Sequence, residues 1–187
     1  MPSSNFMVDI ETLSTRPDAV IVSIAAIKFD RQGDLPKLEK METFYKRVSR
    51  ESCEVLGMHV DPKTMEWWKK QEEDVRFEAL ENPADRLDIK EALRELSQFI
   101  GKSNPTIWGN GDDFDCTILG EAYRICNQQT PWKFWNTRDV RTVFDLGNVT
   151  PWSLPDNHKH HPLHDCYRQI LGLKKAFRNI NIYQPSS

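Results

Sequence analysis

The run Ala19–Phe29, AVIVSIAAIKF, is dense in β-branched and small apolar residues and predicts a strand with one face more deeply buried than the other. Upstream, Asn5–Ile10 is mostly apolar until it meets acidic residues, and it predicts a first strand. Downstream, Arg31-Gln32-Gly33-Asp34 is a turn signal, and the alternation in Glu42–Val48 predicts a third strand. The connections are short, so the three should form an antiparallel meander.

The apolar spacing then changes to that of helices. Asp61-Pro62 opens a helical segment reaching Gln71. Asp88–Ile100 has apolar residues at 89, 93, 96 and 100, one helix face, with Asp88 as N-cap. After Pro105, Thr106–Trp108 predicts a short buried strand. Asp112 or Asp113 is then expected to cap a helix running to about Cys126. Arg138–Leu146 predicts another helix, 147–159 a loop with two prolines, and Pro162–Leu171 a final helix. This order predicts an α/β layer fold. With no internal repeat or linker in 187 residues, residues 1–187 are expected to form one domain.

Composition narrows the class. Apolar residues are 39% and charged residues 28%, ordinary for a globular chain. No apolar run approaches the roughly 20 residues that cross a bilayer. Nor does the start read as a signal peptide, so no membrane is expected and a cytoplasmic location is the default. Four scattered cysteines, without a C-x-x-C pair, predict free thiols rather than a structural zinc site. The net charge of −3 argues against a protein that grips long duplex DNA, and is compatible with one that holds a few nucleotides beside metal ions. Oligomeric state is left open, a homodimer included.

Three acidic features carry candidate chemistry. Asp9 and Glu11 are two apart, so a strand puts both on one face, where burial without a partner would set them against each other. A divalent cation resolves that conflict; a strand end reaching water also would. Trp108–Asp115 follows a strand and opens a helix. Capping explains Asp112 or Asp113, but accounts less well for Asp115 beside Phe114. His158–Asp165 holds four of the five histidines in seven residues, with Pro162 suited to the first helical position. His160 then lies in the preceding loop, and Asp165 about one turn into the helix. A histidine-rich zinc site or a plain solvated loop are the rival readings.

D-x-E near the start, F-D after a middle strand and H-x-x-x-x-D near the end resemble the DEDDh exonucleases of the DnaQ-like, ribonuclease-H-fold superfamily. The supporting text is Met7–Leu13, Trp108–Asp115 and His160–Cys166. The resemblance covers about the whole chain and falls within the branch containing T-even phage exonuclease A and the mycobacterial 3′→5′ exoribonuclease-like domain. It implies a ribonuclease-H-like mixed sheet, three antiparallel strands plus parallel ones, flanked by helices. One departure is visible: Pro162 stands where relatives carry a small residue, which leaves His161, then His164, as substitutes for His160.

The activity implied is a 3′→5′ exonuclease acting on single-stranded DNA or RNA and releasing nucleoside 5′-monophosphates. Two Mg2+ or Mn2+ ions would activate a water and stabilise the leaving oxygen. By this resemblance Asp9 would bridge both ions, Glu11 and Asp165 would hold one, Asp115 would bind the other, and His160 would be the general base. Thr12 and Leu13 would meet the 3′-hydroxyl and wedge the last base, although Leu13 also reads as plain core. Phe114 reads either as a base-stacking ring or as a buried aromatic. Of the neighbours Trp67 and Trp68, about 100° apart on a helix, one is expected to line a nucleotide groove, with Trp68 assigned that part. Asn110 is included in the substrate-binding set. Arg138 and Arg141, if one turn apart, suit a phosphate or a pairing with Asp139 or Asp145. The competing functions are a catalytically weak nucleic-acid-binding protein on the same fold and a zinc hydrolase built on His158–His164.

Overall fold

The computed structural model describes residues 4–154 and 161–181. Its centre is a sheet of six strands: β1 (Asn5–Thr12), β2 (Ile21–Phe29), β3 (Thr43–Val48), β4 (Arg86–Leu87), β5 (Thr106–Gly109) and β6 (Thr137–Asp139). The spatial order is β4-β3-β2-β1-β5-β6. β1, β2 and β3 pair antiparallel, as expected, across connections formed by residues 13–20 and 30–42. β4 joins β3, β5 joins β1 and β6 joins β5 in parallel. The helices are α1 (Arg50–Glu54), α2 (Pro62–Trp68), α3 (Glu73–Arg76), α4 (Ile89–Ile100), α5 (Thr117–Ile125), α6 (Val140–Leu146) and α7 (Pro162–Asn179).

Strand alternation divides β1 between two apolar layers. Phe6, Val8 and Ile10 face a core that includes α4 and α5. Met7 faces the other layer, with Ala25 and Ile27 of β2 and with Val140, Phe144, Cys166 and Ile170 of α6 and α7. Asp9 and Glu11 continue this second face. Met7 is fully buried there, whereas the two acids are half-buried, so the face opens as the chain advances.

Several boundaries differ from expectation, each for a local reason. β1 runs two residues past Ile10, which places both acids within the strand rather than at its end. A bulge between Glu11 and Thr12 then ends the regular pairing with β2. β2 starts at Ile21; Ala19 instead bridges His59. α2 stops at Trp68 rather than Gln71. The expected helix from Arg138 begins only at Val140, because Asp139 accepts from the N–H groups of Arg141 and Thr142 and so marks the boundary. Arg138 is thereby left on the edge strand β6. The turn after β5 is entered from Gly111 rather than from an aspartate and runs as a π-helical turn over Asp112–Cys116 before α5. α7 extends beyond Leu171 to Asn179, since Leu173, Ala176 and Phe177 keep its apolar stripe against the sheet. Within the expected loop, Pro151–Ser153 forms a short 3-10 turn, and 155–160 lie outside the described residues.

Candidate active site

Asp9 and Glu11 meet Asp165 because of how α7 lands on the sheet. α7 begins at Pro162, where the missing N–H costs nothing, and Asp165 falls in its first turn. The next residue, Cys166, is buried, and its thiol donates toward the carbonyl of Met7 at 3.6 Å. That contact seats the first turn of α7 on β1, two residues before Asp9. Carboxylate oxygens of Asp9, Glu11 and Asp165 consequently lie within 4.8 Å of one another. One turn further along α7, the amide nitrogen of Gln169 donates to Oδ1 of Asp9 at 2.7 Å. The other end of that amide, Oε1, is buried without a hydrogen-bond donor.

Asp115 arrives from the other side of β1. The parallel pairing of β1 with β5 extends only from Asn5 to Met7. Beyond it the two strands part, and the Asp115 carboxylate fills the gap. Its Oδ1 accepts from the N–H of Ile10 at 3.2 Å and its Oδ2 from the N–H of Asn110 at 3.0 Å. Two glycines permit this approach. A Cβ on Gly109 would sit 3.2 Å from that of Asp115, and Gly111 takes a φ of +114°, a region that side chains rarely tolerate. The π-helical turn carries Asp115 inward, an irregularity frequent at functional sites.

The electrostatics follow from burial. Asp9 is held well above the usual carboxylate range by burial first, then by the charges of Asp115, Asp165 and Glu11; the Gln169 amide pulls it down. Glu11 is raised well above its ordinary value by burial, then by Asp165 and Asp115. Burial pushes Asp115 up to about 7, against the opposing pull of the Asn110 and Ile10 N–H groups and the Arg141 charge. Such a set is costly as bare anions and fits a hard divalent cation, whose charge offsets both burial and mutual repulsion. Among the described residues Asp9, Glu11 and Asp165 are the one group of three or more His, Cys, Asp or Glu side chains able to share an ion.

These acids line a cleft of about 470 Å³ whose wall includes Asn110, Phe114, Arg141, Arg168 and Trp67. An adjoining groove of similar volume runs past Thr12, Asp61, Thr64, Trp67, Trp68 and Phe114. Phe114 therefore belongs to both. Thr12 lines the groove but is buried, with its hydroxyl donating to the Ser14 carbonyl at 2.7 Å. Trp68 is 1% exposed and its indole N–H donates to the Thr12 carbonyl at 2.9 Å, so it anchors α2 beneath the groove. Trp67, 41% exposed and edge-on to Trp68, is the ring presented to the opening.

Two expected residues are not brought to the cleft. Leu13 is fully buried in the apolar core, its N–H donating to the Val20 carbonyl, because β1 has already bent at the bulge. Arg138 is exposed on β6 and donates to the carbonyls of Trp135 and Thr137, since the Asp139 cap puts it one residue outside α6. Arg141, inside α6, lines the cleft. His160 lies outside the described residues, as does His158. His161 occupies the N-cap position of α7 without a side-chain cap bond, its ring tilted against Tyr45 at 4.8 Å between ring centres and edge-on to His164 at 5.0 Å. Sequence reasoning missed Gln169; the signal was its place four residues after Asp165, on the same helix face.

A mixed sheet with acids converging from β1, the turn after β5 and α7 is the arrangement that the sequence resemblance to the DnaQ-like, ribonuclease-H-fold exonucleases predicts. Residues 4–176 match the 3′-5′ exoribonuclease Rv2179c-like domain, and the chain belongs to that family. It is also similar to an exodeoxyribonuclease of enterobacteria phage T4, 28% identical, over 93% of this chain and 89% of that protein. Among solved structures, the zinc-bound E. coli exonuclease I–ssDNA complex superposes with a TM-score of 0.65 at 15% identity over 97% of this chain. The same enzyme with a dT13 oligonucleotide gives 0.64 at 15% identity over 96%. The chain spans less than half of those structures, 43% and 42%. No helix among the described residues is long and apolar enough to cross a membrane.

Proposed function

We propose that this exonuclease removes nucleotides from the 3′ end of single-stranded DNA or RNA, with Asp9, Glu11, Asp115 and Asp165 as ligands for two Mg2+ or Mn2+ ions. The observation that carries the reading is the convergence of Asp9, Glu11 and Asp165 oxygens within 4.8 Å, with Asp115 held beside them by two backbone N–H groups. Bound there, such ions supply a nucleophilic water at neutral pH and positive charge at the leaving oxygen.

The chain's own groups do the rest. Gln169 fixes the orientation of the Asp9 carboxylate. Arg141 and Arg168 bring positive charge to the phosphate in the cleft. Trp67 and Phe114 offer apolar faces to the terminal base, and stacking on them is indifferent to base identity. His160 is assigned as the proton acceptor from its spacing to Asp165, with His161 and His164 as alternatives. The products are nucleoside 5′-monophosphates.

The relatives carry names pointing to different sugars, an exoribonuclease family and a phage exodeoxyribonuclease. The test is therefore a side-by-side digestion of matched single-stranded DNA and RNA, 5′-labelled, with free or blocked 3′ ends, in Mg2+ or Mn2+. Stepwise shortening from free 3′ ends alone is expected. Cleavage of a circular strand, or 3′-phosphate products, would overturn the reading.

A further inference from the structure

The turn before β6 has an unusual distribution of burial. Trp132 is buried edge-on against Tyr123, at 5.7 Å between ring centres, and Asn136 is buried with its amide donating to Asn104 at 2.7 Å. Between these two anchors Phe134 and Trp135 stand in solvent, 82% and 59% exposed, with ring centres 4.8 Å apart. The backbone beneath them is tied down. Thr137 Oγ1 donates to the Phe134 carbonyl, and Arg138 to that of Trp135. Two adjacent aromatics held rigidly in water are a liability for stability and solubility unless something covers them.

The charge around them says what. Residues 101–111 and 126–138 contain Lys102, Lys133 and Arg138 and no acidic residue, in a chain whose net charge is −3. All three basic side chains are exposed. The Asn136–Asn104 bond ties the Lys102 loop to the aromatic turn. Exposed rings set among basic groups suit single-stranded nucleic acid, whose bases stack and whose phosphates seek cations. A second copy of the chain suits this face poorly, because a two-fold contact would set the same basic groups against each other.

Position agrees with this occupant. β6 is three residues long, about 10 Å of strand. Its far end, Asp139, accepts from the Gly111 N–H at 3.1 Å, next in sequence to Asn110, which lines the acidic cleft. Arg138 lies between cleft and turn. We infer that Phe134 and Trp135, with Lys102, Lys133 and Arg138, form a stacking platform for nucleotides upstream of the one being removed. The inference rests on the exonuclease reading and adds a second binding site to it.

The test compares kcat/KM on a trinucleotide and a 20-mer, each of single-stranded DNA and RNA, for the wild type and two variants. One is Phe134→Ala/Trp135→Ala. The other, Phe134→Leu/Trp135→Leu, keeps apolar bulk and removes the rings, and circular dichroism checks that both fold. The ratio of long-substrate to short-substrate efficiency should fall about tenfold in both. Lys133→Ala and Arg138→Ala should each flatten the salt dependence of 20-mer binding by about one unit of slope. An unchanged length ratio in folded variants would overturn the inference while leaving the exonuclease reading standing. So would gel filtration showing a wild-type dimer split by the variants with that ratio intact. Failure of the wild type to cut either length would remove the exonuclease reading, and this inference with it.

Discussion

Gln169 donates through its side-chain amide to Oδ1 of Asp9 at 2.7 Å, joining the last helix to the first strand across 160 positions of sequence. The bond engages one carboxylate oxygen and restricts rotation of the whole group. It also lowers the proton affinity that burial and three neighbouring acids raise. Gln169 thus holds Asp9 in place from the wall of the same cleft.

Gln169→Leu should therefore weaken Mn2+ binding by about tenfold to a hundredfold, the range seen when a group orienting a metal ligand is removed. Isothermal titration of Mn2+ into wild type and variant checks this independently of turnover. Equal affinities would mean that Asp9 needs no such support.

The raised carboxylates set the pH dependence of the metal-free protein. Asp115 takes up its proton near pH 7 when folded but near the ordinary 3.8 when unfolded, and Asp9 and Glu11 are raised in the same direction. Between those limits the folded state binds more protons than the unfolded one, so stability falls as pH rises. Melting in EDTA should give a higher Tm at pH 5 than at pH 7.5, and Mn2+ should restore much of the difference at pH 7.5 by binding the folded state alone. A metal-free Tm that rises over this interval would contradict the assignment.

Removing one acid separates activity from stability. Asp9→Ala and Asp165→Ala should each abolish detectable hydrolysis, while the metal-free Tm near pH 7.5 stays level or increases as repulsion is relieved. Turnover on a single-stranded oligonucleotide and a thermal melt suffice. Near-normal cutting by either variant would remove that residue from the metal site.

The tryptophan pair should divide its effects in the same way. Trp68→Ala deletes a buried ring and its bond to the Thr12 carbonyl, and should cost about 3–5 kcal/mol of stability. Trp67→Ala, at a half-open position, should change stability by less than about 1 kcal/mol and raise KM for oligonucleotides several-fold. Urea unfolding and initial rates distinguish the two. The opposite assignment would follow if Trp67→Ala unfolded the chain.

The parts of the site readable in the sequence were those governed by a fixed period. Asp9 and Glu11 share a face because strands alternate, and Asp165 lies in the first turn of a helix that Pro162 announces. The meander followed from short connections between apolar runs. What escaped was set by tertiary geometry. β6 is three residues long, too short for any alternation, so Arg138 reads as helical although Asp139 caps the helix after it, and of Arg138 and Arg141 only the latter lines the cleft. The sequence leaves Leu13 open between wedge and core, and the bulge after Glu11 decides for core. Choosing between adjacent Trp67 and Trp68 required knowing where α2 packs, and the Asp115 turn is a π-helical irregularity without a periodic signature.

The order of the acids along the chain has a consequence during synthesis. Asp9, Glu11 and Asp115 leave the ribosome well before Asp165, and the meander can pair while α7 is still unmade. A growing chain therefore carries three of the four proposed ligands yet lacks the residue that closes the cluster, together with the glutamine that steadies Asp9. On the proposed site, cutting would become possible only once the helix that also seals the second apolar layer has docked, so closing the cluster and completing that layer would be one event.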